Sequence, residues 1–251
     1  MSATDKFSAA ASMSGYIYQC EYALFRALDV DDTAEAIMIE TYDDVVVEGV
    51  NSALELLQLK HHDPATAKTF TDGSTDLWKT IRIWSSLIGE GKIDPTNTRF
   101  FLLTTLPASA SSQLARFLAP READPKTRSP KSAEPILKAI AEKMAAGTND
   151  DAKKNVEPFL ALPKSVQSVL ITNMTIVPKV EVIENLRPGI LKRLRNTGAV
   201  NQNLEELAWA LMGWWYGAVI ETLRSKQRRS IRKDVLHEKI GDLVKRYVVC
   251  S

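Results

Sequence analysis

Residues 40–62, ETYDDVVVEGVNSALELLQLKHH, constrain the fold more than any other stretch of the chain. Residues 36–48 and 54–61 are rich in Ile, Val and Leu, a composition that predicts two strands. The Gly and Asn between them predict a turn, so the two strands are expected to form a β-hairpin. A strand that served only as core would not need Gln58 or Lys60. The hairpin is therefore expected to carry polar groups with another purpose.

Alternation of side chains along these strands predicts which polar groups meet. Glu40 and Asp44 are expected on one face of the first strand, with Asp43 on the other. Gln58 and Lys60 are expected to share a face of the second strand, about 7 Å apart. If the hairpin register holds, Asp44 lies beside them, and carboxylate and carbonyl oxygens suit Mg²⁺. A buried lysine needs an anionic neighbour, for which Asp44 and a phosphate are the candidates.

The remaining patterns predict an α/β core followed by a mostly helical region. Helical spacing of apolar residues over 15–28 predicts a first helix, and TDGSTDLWKTIRIWSSLI predicts another behind capping residues. RFFLLTT predicts a buried strand, and SASSQLARFLA predicts a further helix. The core order is thus helix, β-hairpin, helix, strand, helix. Beyond it the pattern is mostly helical, although VLITNMTIVP fits either a strand or a short helix.

These patterns divide the chain into four parts. A length of 251 residues suffices for one large domain or two small ones. Residues 121–135 concentrate prolines and charges, which is typical of an exposed connector. We expect a disordered lead over 1–14, the α/β core over 15–120 and a helical domain over 136–251.

Composition limits the classes of function. The formal net charge is +1, so a nucleic-acid surface must come from local clustering of Lys and Arg. Cys20 and Cys250 lie far apart without CxxC spacing, which indicates a reduced, cytoplasmic protein. No apolar run reaches the roughly 18 residues of a membrane span, and the N-terminus lacks the pattern of a signal peptide. We therefore expect a cytoplasmic protein without a membrane partner.

Five motifs in order, spanning roughly residues 14–106, resemble a nuclease family. They are GYIYQCEYAL, IETYDDVVVEG, LELLQLKHH, TDGSTDLWKTIRIW and RFFLLTT. An Asp, a hairpin and Gln-x-Lys resemble the D-QxK variant of the PD-(D/E)XK motif. The closer resemblance is to the double-stranded DNA endonuclease domain of bacterial antiphage effectors, both those gated by cyclic oligonucleotides and those in three-component ABC-ATPase systems. It implies a restriction-endonuclease-like core, metal-dependent cleavage of double-stranded DNA with Mg²⁺ or Mn²⁺, and a regulatory partner protein or fused sensor domain.

The resemblance also implies roles for individual residues. Asp44 is the expected main metal ligand and Lys60 the expected catalytic lysine. Gln58 stands where many relatives have an acid, so it is expected to add a weaker, neutral oxygen to the metal sphere. Glu40 is a candidate second ligand. With one negative charge fewer than usual, the site is expected to take a substrate phosphate to complete the metal sphere.

The first helix carries a candidate accessory residue. Other branches of the superfamily have a metal-oriented glutamate there, and Gln19 occupies that place in this chain. Glu21 lies nearby, but about 100° per residue puts it about 200° round the helix from Gln19. We therefore favour Gln19.

Basic residues outside the motif are candidate DNA contacts. Lys79 and Arg82 lie three apart on a predicted helix and form a plausible phosphate-facing pair. RSKQRRSIRK, residues 224–233, is equally consistent with DNA contact and with a solvated loop and helix start. Trp78 and Trp84 fit the core better than base stacking. The full set of candidate DNA contacts is His61, Lys79, Arg82, Arg228, Arg229 and Arg232.

Two questions about function stay open at this level. The alternative to an endonuclease is a catalytically inactive nuclease fold that binds DNA or a partner protein. One D-QxK centre cuts one strand, so a double-strand break favours a homo-oligomer. The apolar helix around Trp209, Trp214, Trp215 and Tyr216 could supply that interface, or it could be intramolecular core.

Overall fold

A computed structural model describes residues 9–29, 34–62, 68–122, 125–195, 203–225 and 230–248. Helices and strands alternate through its first half, and helices dominate the second. The elements in chain order are α1 (Ala9–Ala27), β1 (Ala34–Ile39), β2 (Val45–Gly49), β3 (Leu54–Lys60), α2 (Thr75–Gly89), β4 (Thr98–Thr104), α3 (Gln113–Phe117), α4 (Pro130–Ala146), α5 (Asp150–Ala161), α6 (Lys164–Asn173), β5 (Met174–Pro178), α7 (Ile183–Arg195), α8 (Leu204–Arg224), β6 (Ile231–Arg232) and α9 (Lys233–Val248).

The chain forms two compact units, and the first is discontinuous in sequence. Unit 1 comprises Met1–Asn51 and Glu181–Ser251. Within it β1 pairs antiparallel with β2 on one side and with β6 on the other. Unit 2 comprises Ser52–Val180. Its strands are all parallel, in the order β5-β4-β3. Parallel neighbours need crossover connections, which α2 supplies between β3 and β4.

Unit 1 is held together by α1 packing against α7 and α8. The indole Nε1 of Trp215 donates to the Cys20 carbonyl at 2.8 Å, in the buried interior. The guanidinium of Arg193 lies 3.6 Å above the Phe25 ring centroid. A Cβ at Gly189 would come within 2.5 Å of that ring, so the absence of a side chain permits the close approach of α7. Aromatic residues at helical spacing on α1 thus find their partners far along the chain.

Local capping explains where helices of unit 2 begin. Asp72 accepts hydrogen bonds from the backbone N–H groups of Gln113 and Leu114, both at 3.0 Å, at the start of α3. Ser129 caps α4, with Pro130 at its first position, where a missing N–H costs nothing. The apolar side of α2, with Leu77, Trp78, Ile81 and Trp84 fully buried, matches its predicted periodicity.

Three expectations from the sequence are corrected. Helix α1 begins at Ala9, so it takes in six residues assigned to the disordered lead. Helix α4 begins at Pro130, inside the predicted connector, because Ser129 and Pro130 provide a strong helix start. Residues 36–48 do not form one strand, since β1 ends at Ile39 and β2 begins at Val45.

The mixed α/β class is confirmed, and an open alternative is resolved. VLITNMTIVP contributes to both a helix and a strand, the end of α6 and all of β5. Helix α5 has no counterpart in the sequence prediction. The compact units divide the chain differently from the predicted core over 15–120 and helical domain over 136–251. Among the described residues, no helix combines the length and apolarity needed to cross a bilayer.

Candidate active site

The acidic residues expected on one strand face lie in the turn between β1 and β2. Ile39 pairs with Val45, and between them the Glu40 N–H donates to the Asp44 carbonyl at 3.1 Å. Glu40 has a φ of 55°, in the left-handed region. Strand alternation therefore does not govern Glu40 and Asp44, and the prediction that they share a strand face is wrong. Asp and Glu are poor strand formers, and Asp favours turns because its carboxylate bonds nearby backbone.

The two aspartates of this turn differ in environment. Asp43 is the more buried, at 7% exposure, and its Oδ1 accepts from the Asp44 N–H at 3.2 Å. Asp44 is half-buried. Sequence reasoning had set Asp43 aside as a residue on the opposite face. Its carboxylate shapes the turn, and Asp44 remains the predicted metal ligand.

Gln58 and Lys60 share one face of β3, as predicted. In the parallel register Leu56 pairs with Phe100, and paired residues point to the same side of the strands. The Phe100 ring lies 5.1 Å from the Trp84 ring of α2. Because Gln58 and Lys60 have the same parity as Leu56, their face is the one that α2 covers. Gln58 and Lys60 therefore lie on the side of β3 that faces α2.

Both polar groups on this face lack protein partners within the described part of the chain. Gln58 is 3% exposed, and its Oε1 is buried without a hydrogen bond to any described residue. Lys60 is half-buried, and its ammonium forms no salt bridge among the described residues. A buried carbonyl oxygen without a hydrogen bond costs about 1–3 kcal/mol. The Gln58 amide oxygen can therefore accept a further hydrogen bond, and the Lys60 ammonium can donate one.

A histidine–aspartate pair lies just beyond Lys60. The His62 Nε2 is 2.8 Å from Asp76 Oδ2, in the first turn of α2. Thr105 fixes the backbone here, since its Oγ1 accepts from the His62 N–H at 2.9 Å. Sequence reasoning had chosen His61 as the DNA contact, and it lies half-buried after β3. The His62–Asp76 pair was missed because it joins residues 14 apart, with no motif to signal it.

Helix α2 separates its aromatic residues from its basic ones. Trp78 and Trp84 are fully buried, which confirms that they belong to the core. The Trp78 Nε1 donates to the Asp72 carbonyl at 3.0 Å. Lys79 is exposed and Arg82 is half-buried, so both keep the access that phosphate contacts require.

In unit 1, the first helix places Gln19 and Glu21 in different surroundings. The Gln19 Oε1 is buried without a hydrogen bond to a described residue. The Glu21 carboxylate accepts from the Tyr216 hydroxyl at 3.0 Å, and burial raises the pKa of Glu21. Burial also raises the pKa of the Cys20 thiol to about 11, so it stays protonated at neutral pH. The Glu21 carboxylate therefore has a hydrogen-bond partner on α8, whereas the Gln19 amide oxygen has none among the described residues.

The predicted basic cluster falls partly outside the described residues, which exclude Arg228 and Arg229. Arg232 lies in β6 and forms a bidentate pair with Asp234, at 3.0 Å from Nε and 2.7 Å from Nη2. A phosphate would have to compete with this carboxylate for Arg232. Its part in DNA binding stays a prediction.

The aromatic helix α8 is part core and part surface. Trp215 is buried against α1, which supports the core alternative for that side. Trp209 is 58% exposed, and the Arg187 guanidinium lies 4.0 Å from its ring centroid. The predicted role of α8 in self-association remains a prediction for the exposed side alone.

Protein carboxylates alone do not form a metal cluster in the described residues. No group of three or more His, Cys, Asp or Glu is close enough there to hold an ion. A neutral oxygen such as that of Gln58 fits a hard cation that retains waters. The neutral oxygen of Gln58 is therefore chemically compatible with such a cation, without a cluster of carboxylates around it in the described residues.

One family model matches the chain over residues 9–198, and it is described as Cap4, dsDNA endonuclease domain. The matched region contains Asp44, Gln58 and Lys60. The match confirms the family resemblance drawn from the sequence motifs. No curated protein matches the chain in sequence.

Solved Cap4 structures share the fold at low sequence identity. The Moraxella osloensis Cap4 SAVED/CARF-domain containing receptor has a TM-score of 0.55 and 15% identity, covering 92% of this chain and 48% of that one. The Acinetobacter baumannii Cap4 receptor with the cyclic trinucleotide 2′3′3′-cAAA has a TM-score of 0.54 and 15% identity, covering 92% of this chain and 45% of that one. The chain thus spans about half the length of these solved relatives.

Proposed function

Because the chain belongs to the family of Cap4 double-stranded DNA endonuclease domains, we propose that it hydrolyses phosphodiester bonds of double-stranded DNA with Mg²⁺ or Mn²⁺. The proposed biological role is that of an antiphage defence effector. The observation that carries the proposal is the pair of polar groups on the α2-facing side of β3, the Gln58 Oε1 and the Lys60 ammonium, which have no hydrogen-bond or salt-bridge partner among the described residues.

Each of these residues has a proposed task. Lys60 stabilises the negative charge that develops on the phosphoryl oxygens, and it holds the attacking water in place. Asp44, Gln58 and Glu40 are the proposed metal ligands, and Gln19 is an accessory residue. The bound metal supplies polarisation of the phosphate and of the water. Because Gln58 is neutral, the phosphate is expected to strengthen metal binding.

Binding of duplex DNA would use basic groups outside the catalytic set. Lys79 and Arg82 are the proposed phosphate contacts on α2, with His61 beside β3. Arg228, Arg229 and Arg232 are proposed contacts from the basic segment. The restriction-endonuclease-like order of the core is likewise a proposal for this chain.

Regulation and assembly are proposed from the relatives and from α8. The solved Cap4 relatives contain SAVED/CARF domains, and one holds a cyclic trinucleotide. We propose that a fused sensor domain or a partner protein controls this nuclease, that it acts in the cytoplasm, and that the active form is a homo-oligomer.

Plasmid cleavage tests the proposal directly. Supercoiled plasmid is incubated with the protein and Mg²⁺ or Mn²⁺, and nicked and linear products are followed on gels. Wild-type protein is expected to cleave, EDTA to stop cleavage, and Lys60→Ala to slow it by about 10²–10³-fold. Lys164→Ala, at an exposed position of α6, is the matched control and should cleave normally.

The alternative is an inactive nuclease fold that binds DNA or a partner. Wild-type protein that never cleaves with any divalent metal, in any oligomeric or partner-bound state, would establish that alternative. Retained DNA binding would then show that the basic surface, rather than catalysis, is the function.

A further inference from the structure

The His62–Asp76 pair is built like a positioned acid–base group. The 2.8 Å contact joins a side chain at the end of β3 to the first turn of α2. The two side chains are 26% and 31% exposed, so the pair is anchored yet open to a ligand.

The backbone of His62 is fixed by a continuation of the β3–β4 ladder. The Thr105 N–H donates to the Lys60 carbonyl at 3.1 Å. Its hydroxyl accepts from the His62 N–H at 2.9 Å, and lies 3.3 Å from the His62 carbonyl. His62 itself lies beyond β3, which ends at Lys60. Its contact with Asp76 places the ring against α2, the helix that covers the face of Gln58 and Lys60.

The pairing with Asp76 determines which imidazole nitrogen is available. An ionised carboxylate only accepts, so the His62 Nε2 carries the hydrogen of this bond. The other nitrogen, Nδ1, forms no hydrogen bond with any residue that the structure describes. Asp76 therefore fixes the tautomer and the ring orientation, and Nδ1 is the atom that can exchange a proton.

We propose that His62 is a further catalytic residue of the nuclease reaction and that Asp76 is its positioning residue. The proposal rests on the proposed endonuclease activity. The water oxygen forms a bond to phosphorus and releases a proton to solvent, while the bond from phosphorus to the leaving ester oxygen breaks. The imidazolium of His62 gives its Nδ1 proton to that oxygen, which departs as a hydroxyl. The neutral imidazole then takes a proton from solvent.

The positions of the two side chains suit this division of labour. Lys60 is the last residue of β3 and His62 follows two residues later, so the proposal assigns them to different sides of one phosphate. In-line displacement puts the attacking and leaving oxygens on opposite sides of phosphorus. Lys60 serves the side of the attacking water, and His62 serves the leaving oxygen.

Sulfur substitution of the leaving atom tests this role. Duplexes carry sulfur in place of the 3′- or the 5′-bridging oxygen at a mapped cleavage site, and wild-type product ends identify which bond breaks. A thiolate leaves without protonation, so it removes the need for a general acid. Rates are measured in single turnover with Mn²⁺, which tolerates sulfur, and each variant is compared with wild type on the same substrate.

The expected pattern separates acid catalysis from a structural role. His62→Gln should cleave ordinary DNA about 10²–10⁴-fold more slowly than wild type, and the substrate with sulfur as leaving atom at nearly the wild-type rate. Asp76→Asn should show a smaller loss that the same substrate restores. His237→Gln, at the exposed third histidine on α9, should match wild type on both substrates.

Each other outcome overturns a stated claim. If His62→Gln is equally slow on both substrates, His62 has a structural or phosphate-binding role and the proposal fails. If His62→Gln cleaves ordinary DNA at the wild-type rate, the proposal also fails. Wild-type protein that cleaves neither substrate with any divalent metal, in any oligomeric or partner-bound state, refutes the proposed nuclease function itself, and the role of His62 falls with it.

Discussion

The turn between β1 and β2 and the end of β3 are both polar, yet they hold their polar groups in opposite ways. In the turn, the Glu40 N–H donates to the Asp44 backbone carbonyl, and the Asp44 N–H donates to the Asp43 carboxylate. At the end of β3, Gln58 and Lys60 have no such partners among the described residues. The His62 ring, which follows them in the chain, is paired with Asp76.

The difference separates polar groups that build a fold from those that await a ligand. A carboxylate that accepts backbone N–H groups stabilises a turn whether or not it has a second role. A buried amide oxygen without a hydrogen bond lowers stability, and a bound cation removes that cost. Substitution of Asp43, whose carboxylate accepts from the turn backbone, should therefore mainly lower stability, whereas substitution of Gln58 should mainly lower activity.

The largest effect is expected within the turn. Asp44→Asn removes the predicted metal ligand and should slow plasmid cleavage by at least about 10²–10³-fold. Binding of duplex DNA, measured by gel shift, should stay unchanged or tighten, because one fewer carboxylate repels phosphate. Asp43→Asn makes the same charge change one residue away and should mainly lower the melting temperature. If Asp43→Asn abolishes cleavage and Asp44→Asn does not, Asp43 is the metal ligand and Asp44 has the structural role.

An intermediate effect on stability and on the metal requirement is expected when Gln58, a buried glutamine of unit 2, is replaced by leucine. Gln58→Leu should leave the free energy of unfolding unchanged or raise it by about 1–3 kcal/mol, since an unpaired carbonyl is removed. The Mg²⁺ concentration for half-maximal cleavage should rise. Urea unfolding and metal titration measure the two quantities.

Gln167 provides the matched control for Gln58. Its Nε2 donates to the Phe159 and Leu162 carbonyls, both at 3.0 Å. Gln167→Leu should therefore lower the free energy of unfolding by about 1–3 kcal/mol and leave the metal requirement unchanged. Equal destabilisation by both substitutions would mean that Gln58 is a structural residue.

The smallest effect is expected for Glu40→Gly. The φ of 55° strains a residue with a side chain, and glycine removes that strain. The gain offsets the extra backbone entropy that glycine loses on folding. The free energy of unfolding should change by less than about 1 kcal/mol, whereas the metal requirement for cleavage should rise. Glu48→Gly, within β2, should cost about 0.5–1 kcal/mol. An unchanged metal requirement in Glu40→Gly would remove Glu40 from the ligand set.

The sequence predicted local periodic features well. The shared face of Gln58 and Lys60 follows from the two-residue period of a strand, and the burial of Trp84 follows from helical spacing. Both depend on neighbours a few residues away. The family assignment succeeded for the related reason that its motifs lie on these periodic elements.

Features that depend on distant partners or on a reversal of the chain were missed. Residues 36–48 looked like one strand because Ile and Val occur on both sides of the turn, and a positive φ at Glu40 leaves no mark in composition. The pair of His62 and Asp76 exists only because β3 and α2 come together in the fold. No periodicity encodes such a contact.

The discontinuity of unit 1 has a consequence for how the protein is made. The contact between Trp215 and Cys20 joins residues 195 apart, whereas unit 2 is one uninterrupted segment. At about 5–20 residues per second, ribosomes need roughly 10–40 s to reach α8 after α1 has been synthesised. All residues of unit 2 are synthesised within that interval, before α8, while the aromatic side of α1 has none of its native partners from α8. Chaperone capture of nascent chains should therefore concentrate on α1, and end once α8 has emerged.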